Sequence, residues 1–296
     1  MSWRIKVPAT TANLGAGFDS IGVALDLYLF IKVSPSDEWA FVSHSKHLTE
    51  VPKGKENFIY QIAEKVATRY GKQTLPPCHV ELFSDIPLAR GLGSSATAIA
   101  VGIEIANLLL ELNLSERDKV QIATEIEGHP DNVAPAIIGG AVIGHYEDVV
   151  DYVKLDLENI SFVAVIPEFE LKTKDARQVL PDTFSYADAV RASSVANVTT
   201  AALVKQDWAL LGRMMAQEHF HEPYRKKLIP HYDAVKALVN DDAHGIYISG
   251  AGPTLMILID EVIAEKQLHY WRKTMPEHEW LVLKPVNIGI EVVDGY

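Results

Sequence analysis

The chain has 296 residues, enough for two domains or one large one. Hydrophobic residues make up 48% and charged residues 22%, a globular mixture that buries its own core without disulfide or metal staples. The formal net charge of −12 excludes a general binder of nucleic acid or anionic membrane but leaves room for a local cationic pocket. Cys78 is the one cysteine, which rules out an internal disulfide and a cysteine-built zinc site. The first residues lack a signal-peptide core, and the apolar run 133–144 is too short to span a bilayer, so a reduced, cytoplasmic setting is expected.

Strands are predicted over residues 4–7, 23–33 and 39–43, the last after a Ser-Pro-Ser-Asp turn at 34–37. Ile59, Ile62, Ala63, Val66 and Ala67 recur at helical spacing, which predicts a helix over 57–70. A strand at 80–86 stops at Pro87, and a mostly apolar helix follows over 96–110. Ser115 and Asp118 form a capping signal for a helix ending near residue 126. Residues 140–146 and 162–166 are strand-like, 187–220 strongly helical, and 232–239 helical again. The chain ends with strands at 245–249 and 255–259, a helix at 262–273, and strands near 280–283 and 288–293. No fixed-period repeat or low-complexity tract interrupts this order. Strands and helices mix without a regular βαβ beat, so an α+β fold is expected, with a domain boundary near residues 150–160, where the stretch 147–159 is polar.

Three glycine-rich segments stand out. The first is Pro8-Ala9-Thr10-Thr11-Ala12-Asn13-Leu14-Gly15-Ala16-Gly17-Phe18-Asp19-Ser20-Ile21-Gly22, whose small residues let backbone approach a ligand. The second, Pro87-Leu88-Ala89-Arg90-Gly91-Leu92-Gly93-Ser94-Ser95-Ala96-Thr97, lies between a strand and a helix. A helix start carries unpartnered N–H groups and positive potential; glycines admit a phosphate there, and serine hydroxyls add donors or a magnesium ligand. The third is Ser249-Gly250-Ala251-Gly252-Pro253-Thr254 between two apolar strands. Taken singly, the first and third also read as plain turns. The Gly91-x-Gly93-x-x-Ala96 spelling is not a dinucleotide fingerprint, because a turn and a helix follow where that fold needs a strand ending in an acid. A Gly-x4-Gly-Lys loop, the protein-kinase motifs and a Gly-x-Ser-x-Gly elbow are all absent from the sequence.

Together the three segments resemble the signature motifs of the GHMP small-molecule kinases, over a span from about Pro8 to Thr254. Within that group the first segment is similar to the homoserine kinases, and no Gly-Glu-His sequence of the galactokinase and mevalonate kinase type occurs in its place. Glu127-Gly128-His129-Pro130-Asp131-Asn132-Val133-Ala134-Pro135 and Glu222-Pro223-Tyr224-Arg225 point the same way, although Glu127 and Asn132 lie closer together than in some members. The resemblance implies a two-domain fold: an N-terminal ATP-binding domain (1–155) like the second domain of ribosomal protein S5, and a ferredoxin-like C-terminal domain (156–296). It implies ATP-dependent phosphorylation of the L-homoserine hydroxyl, a step toward threonine, in a cytoplasmic enzyme for which a homodimer is open.

Site roles follow from the same resemblance. Asn13 and Asp19 suit the substrate ammonium, and Arg177 and Arg225 its carboxylate, since guanidinium forks bind carboxylates bidentately. His129 and Asn132 would orient the hydroxyl, and residues 87–97 would hold ATP, with Asn57 near adenine. Ser95 and Glu127 would bind Mg²⁺, with Ser94 as the alternative hydroxyl. Gly250, Gly252 and Thr254 would shape the substrate or phosphate side. Asp131 stands where related kinases carry a catalytic aspartate, but a loose transition state needs little prior deprotonation, so a route without a general base is the expectation. A kinase for another small alcohol would lose the pairing of Asp19 with two arginines. A catalytically silent relative would show damaged motifs, whereas Ser94, Ser95, Glu127 and Asp131 are all present.

Overall fold

The computed structural model describes residues 2–46, 48 and 51–295. Its first sheet has seven strands and grows from one long antiparallel pair, β1 (Ser2–Ala12) with β2 (Ile21–Pro35). The expected strand at 4–7 continues through the first glycine-rich segment to Ala12. A register shift between Pro8 and Ala9 accommodates the proline, which has no ladder donor, and residues 9–12 are fully buried. β4 (Cys78–Ser84) lies antiparallel to β2, and β3 (Ala40–Ser43) parallel to β4. β5 (Ala141–Tyr146) pairs with the start of β2 and forms a hairpin with β6 (Val150–Leu155). β6 occupies the stretch expected to be a polar boundary. It is an edge strand, and exposed Asp151, Val153 and Lys154 give it a surface composition.

The helices of this half follow the sequence signals closely. α1 (Phe58–Arg69) is capped by Asn57, whose Oδ1 accepts from the Ile59 N–H at 3.0 Å. α2 (Ser94–Leu109) packs on β1, and α3 (Glu116–Glu127) opens with the expected box between Ser115 and Asp118. α4 (Val133–Ile138) is an additional helix, buried throughout, that begins just after the Glu127–Asn132 block.

The second sheet is wholly antiparallel. In chain order it runs β7 (Ser161–Ile166), five helices, β8 (Gly245–Ile248), β9 (Leu255–Ile259), α10 (Glu261–Thr274) and β10 (Glu279–Leu283). Its spatial order is β10-β7-β9-β8, the 4-1-3-2 arrangement of a βαββαβ ferredoxin-like unit. The five helices are α5 (Thr173–Gln178), α6 (Tyr186–Lys205), α7 (Trp208–Met215), α8 (Glu222–Arg225) and α9 (Tyr232–Val239). The stretch expected to be strongly helical over 187–220 is two helices, interrupted at Gln206, which takes φ +53°, and Asp207 caps α7 through Leu210. The chain then returns: β11 (Glu291–Gly295) pairs with β1 and completes the first sheet. Among the described residues no helix is long and apolar enough to cross a membrane.

Candidate active site

The three glycine-rich segments meet where the two sheets face each other. Thr10 donates its N–H to the Leu92 carbonyl (3.2 Å), Gly250 donates to Ala12 (3.2 Å), and the Ser249 hydroxyl donates to the Gly91 carbonyl (2.5 Å). Glycine is required at this crossing. Gly93 has φ +72°, and a Cβ there would sit 2.0 Å from Thr10 Oγ1. As the N-cap of α2, Gly93 supplies no side-chain acceptor, so the first-turn N–H groups of the helix remain available to an anion.

A cleft of about 480 Å³ opens on that helix tip. Its apolar lining includes Val51, Phe58, Leu82, Ile86 and Leu88. Its polar lining includes Ser94, Ser95, Glu127 and Asn132, and backbone at Gly93 and, from the turn between β8 and β9, at Gly250, Ala251 and Gly252. Of the expected nucleotide stretch, Leu88, Ala89, Gly91 and Gly93 to Thr97 line the cleft, while three others do not. Leu92 is packed in the core, Pro87 lines a different surface hollow, and Arg90 turns its guanidinium to the carbonyls of Pro167 (3.0 Å) and Glu168 (2.5 Å). Asn57 also lines the cleft, but its amide is engaged by Pro52 and Ile59. Thr254 is fully buried outside the cleft lining.

A charged cluster adjoins Asn132 and Gly250. Arg177, from α5, clasps Asp19 with two bonds of 2.8 and 3.1 Å. Arg225 is 2% exposed and donates to the carbonyls of Ala176 (3.1 Å) and Gly250 (3.0 Å) and to His221 Nδ1 (3.3 Å). Both guanidiniums lie over the Phe18 ring, at 5.6 and 4.9 Å from its centroid, so the two arginines converge. Burial and the nearby Arg177 charge pull Arg225 down to about 10, which still leaves it charged at neutral pH. Burial and the Arg225 charge push His221 down to about 3; it is neutral, so Nδ1 can accept from Arg225 while Nε2 donates to Gly15 at 3.2 Å. Asn13 is fastened too, donating to Gly250 (2.9 Å) and accepting from Asp19 N–H (3.2 Å), which leaves one amide lone pair for a ligand.

His129 and Asp131 form a 2.6 Å pair beside this cluster. Burial opposes charge on His129, but the hydrogen bond to Asp131 and the charges of Asp131, Asp19 and Glu127 outweigh it and raise the imidazole to about 9. Asp19, His129 and Asp131 bring candidate ligand atoms within 4.8 Å, and a metal there would have to displace the proton of His129. Glu127 is the better metal candidate. Burial raises its pKa, with Asp131 adding to the effect and His129 opposing it, and its carboxylate has no hydrogen-bond or ion-pair partner among the described residues. A divalent cation held with Ser95 in the same cleft would relieve that burial.

Sequence reasoning passed over Thr10, whose hydroxyl donates to Asn132 Oδ1 (2.9 Å), and also Phe18, His221 and Lys172. Thr10 and Phe18 lie inside the first glycine-rich segment, which was the available signal. His221 directly precedes the Glu222-Pro223-Tyr224-Arg225 block.

The fold is that of the GHMP kinases: the N-terminal domain profile of that family matches residues 57–140 and the C-terminal profile residues 199–277. A homoserine kinase from Halalkalibacterium halodurans is 47% identical over 295 residues, covering 99% of this chain and 95% of its own. One from Staphylococcus epidermidis is 43% identical, covering 98% and 97%. The crystal structure of homoserine kinase from Cytophaga hutchinsonii superposes with a TM-score of 0.85 at 31% identity, over 99% of this chain and 97% of that one. A mevalonate kinase structure at 18% identity shares the fold, with a TM-score of 0.72. The chain belongs to the homoserine kinase family of the GHMP kinases.

Proposed function

We propose that this protein transfers the γ-phosphoryl group of ATP to the side-chain hydroxyl of L-homoserine, giving O-phospho-L-homoserine and ADP on the way to threonine. The observation that carries the reading is that an uncapped helix tip lies in a cleft also lined by Gly250, whose carbonyl is held by Asn13 and by Arg225, one of two guanidiniums that converge with Asp19 on Phe18. The test is to mix protein, Mg²⁺ and ATP with a panel of amino alcohols and follow ADP release: homoserine should dominate, and a preference for an alcohol lacking the zwitterion would refute the assignment.

In this reading the N-terminus of α2 and the hydroxyls of Ser94 and Ser95 hold the β- and γ-phosphates, and the apolar lining of the cleft holds the base. Asp19 takes the substrate ammonium, Arg177 and Arg225 take the carboxylate, and Asn132, fixed by Thr10, aims the hydroxyl. Mg²⁺, when bound by Ser95 and Glu127, supplies positive charge to the phosphates. A cytoplasmic setting and a homodimer complete the proposal, the latter open to light scattering. Ser95→Ala should raise the Mg²⁺ and ATP concentrations needed for half-maximal rate, because one oxygen ligand is missing. Unchanged metal and nucleotide dependence would remove Ser95 from the metal site.

Asp131 serves better as an anchor than as a base. One of its oxygens already takes both His129 (2.6 Å) and Asn132 (3.2 Å), and the residue is 2% exposed. Asp131→Asn should therefore lower turnover by less than about tenfold, whereas base removal costs ~10²–10⁴-fold. The same variant should change the pH dependence of stability. His129 titrates near 9 when folded and near 6.5 ordinarily, so between these values the folded state holds a proton that the unfolded chain has lost. Its contribution is complete below pH 6.5 and drains away as pH rises through 9, a loss on the order of 3 kcal/mol. Urea unfolding at several pH values should show this slope flattened in Asp131→Asn.

A further inference from the structure

The phosphate end of the cleft has a charge deficit. Its donors are neutral N–H groups and hydroxyls, the acidic side chain in its lining is Glu127, and the arginine of the middle glycine-rich segment, Arg90, is turned away to Pro167 and Glu168. Phosphoryl transfer spreads negative charge over the moving group and depends on positive charge placed against it. Among the described residues that line the cleft, one is a cation: Lys172.

The backbone that carries Lys172 is fixed in place. Lys172 sits in extended backbone immediately before α5 and caps nothing with its side chain. It also has no ion-pair partner among the described residues. The segment that carries it is fastened at both ends. On one side Arg90 binds the carbonyls of Pro167 and Glu168, and Leu171 donates its N–H to the Ala89 carbonyl (3.2 Å), which ties the segment to the phosphate loop. On the other side Arg177 clasps Asp19 in the charged cluster. Lys172 therefore belongs to a segment tied to the phosphate loop on one side and to Asp19 on the other, and it lines the same cleft as Ser94, Ser95 and Gly250.

We propose that Lys172 is a catalytic residue whose ammonium contacts the γ-phosphoryl group of ATP during transfer. The inference rests on the kinase reading above. In the step it serves, the homoserine oxygen forms a bond to the γ-phosphorus. The bond from that phosphorus to the β,γ-bridging oxygen breaks, ADP leaves, and the hydroxyl proton is released to solvent. A lysine contributes here as a compact point charge on a flexible stem, which can follow the phosphoryl group as it moves.

The test compares full-length wild type, Lys172→Met and Lys172→Arg. Lys172 is exposed, so neither substitution disturbs the core. Calorimetry with Mg²⁺ measures the affinity of each for ADP and for the β,γ-imido analogue of ATP, with no acceptor present. Lys172→Met should weaken the triphosphate analogue about tenfold and ADP less than twofold, and Lys172→Arg should restore most of the difference. In turnover with homoserine, Lys172→Met should lose roughly 10²–10³-fold in kcat, the scale of removing one preorganised charge or donor, with the KM for homoserine within about twofold of wild type. A ratio of triphosphate to diphosphate affinity that stays within twofold of wild type in Lys172→Met overturns the proposal. The binding arm contains no acceptor, so it decides Lys172 even if wild type proves to prefer another alcohol.

Discussion

Arg225→Ala is expected to raise the KM for L-homoserine by about 10²–10³-fold while leaving the KM for ATP within about threefold. The guanidinium is buried, and its Nε and Nη1 groups are committed to Ala176, Gly250 and His221. Its Nη2 donors have no partner among the described residues and remain for a ligand. Two charge-assisted bonds at roughly 1.5–3 kcal/mol each set the scale of the loss. Lysine is a poor replacement, because an ammonium cannot hold two carbonyls in the guanidinium plane and still present a fork. Removing Arg225 also strips a donor from the buried carbonyl of Ala176, at about 1–3 kcal/mol if it is left unsatisfied, while Asn13 still donates to Gly250, so the melting temperature should fall as well. The split between the two KM values separates the roles. If homoserine and ATP weaken equally, Arg225 is only a brace between α5 and the third glycine-rich segment, and the carboxylate clamp is wrong.

Much of this arrangement was legible because it is local chemistry. The Ser115–Asp118 box, the helical spacing from Ile59 to Ala67 and the apolar strands at 162–166 and 255–259 each depend on neighbours a few residues away. The uncapped start of α2 follows from the glycines before Ser94. What was illegible depends on distant partners. Residues 9–12 read as loop because they are small, yet they are small because α2 crosses them so closely that Gly93 touches Thr10. β6 has a surface composition because it is an edge, and β11 belongs to the first sheet only because the chain end returns to β1. Arg90 illustrates the limit best: its place in the middle motif suggested phosphate, and only the fold reveals that its guanidinium is spent on the segment carrying Lys172. A motif specifies which residues lie near a ligand, but the direction of a long side chain is set by whichever acceptors tertiary structure brings within reach.

The contact between the middle and third glycine-rich segments leads to the second large effect, Gly91→Ala. Gly91 has φ +76°, and a Cβ there would lie 2.2 Å from the Ser249 carbonyl oxygen and 3.1 Å from that of Gly252. These are backbone atoms, and the Gly91 carbonyl is itself held by the Ser249 hydroxyl, so no flexible side chain can yield. Left-handed backbone costs an alanine about 1–2 kcal/mol, and forcing a carbon into a packed crossing costs a further ~1–3 kcal/mol. The resulting ~2–5 kcal/mol should lower the melting temperature by roughly 5–15 °C in a protein of this size. Function should suffer more than stability, because the loops carrying Ser94 and Gly250 can make room only by separating, and a shift of about 1 Å at reacting groups can cost ~10²-fold in rate. Gly71→Ala is the matching control. Gly71 has nearly the same φ, +71°, but among the described residues nothing lies within 4 Å of its added carbon. That variant should lose the backbone term alone and keep kcat/KM within about twofold of wild type. Equal activities in the two alanine variants would mean that the crossing of the loops does not position the phosphate and acceptor sites; a gap of two orders of magnitude would assign the loss to that contact rather than to glycine's backbone freedom.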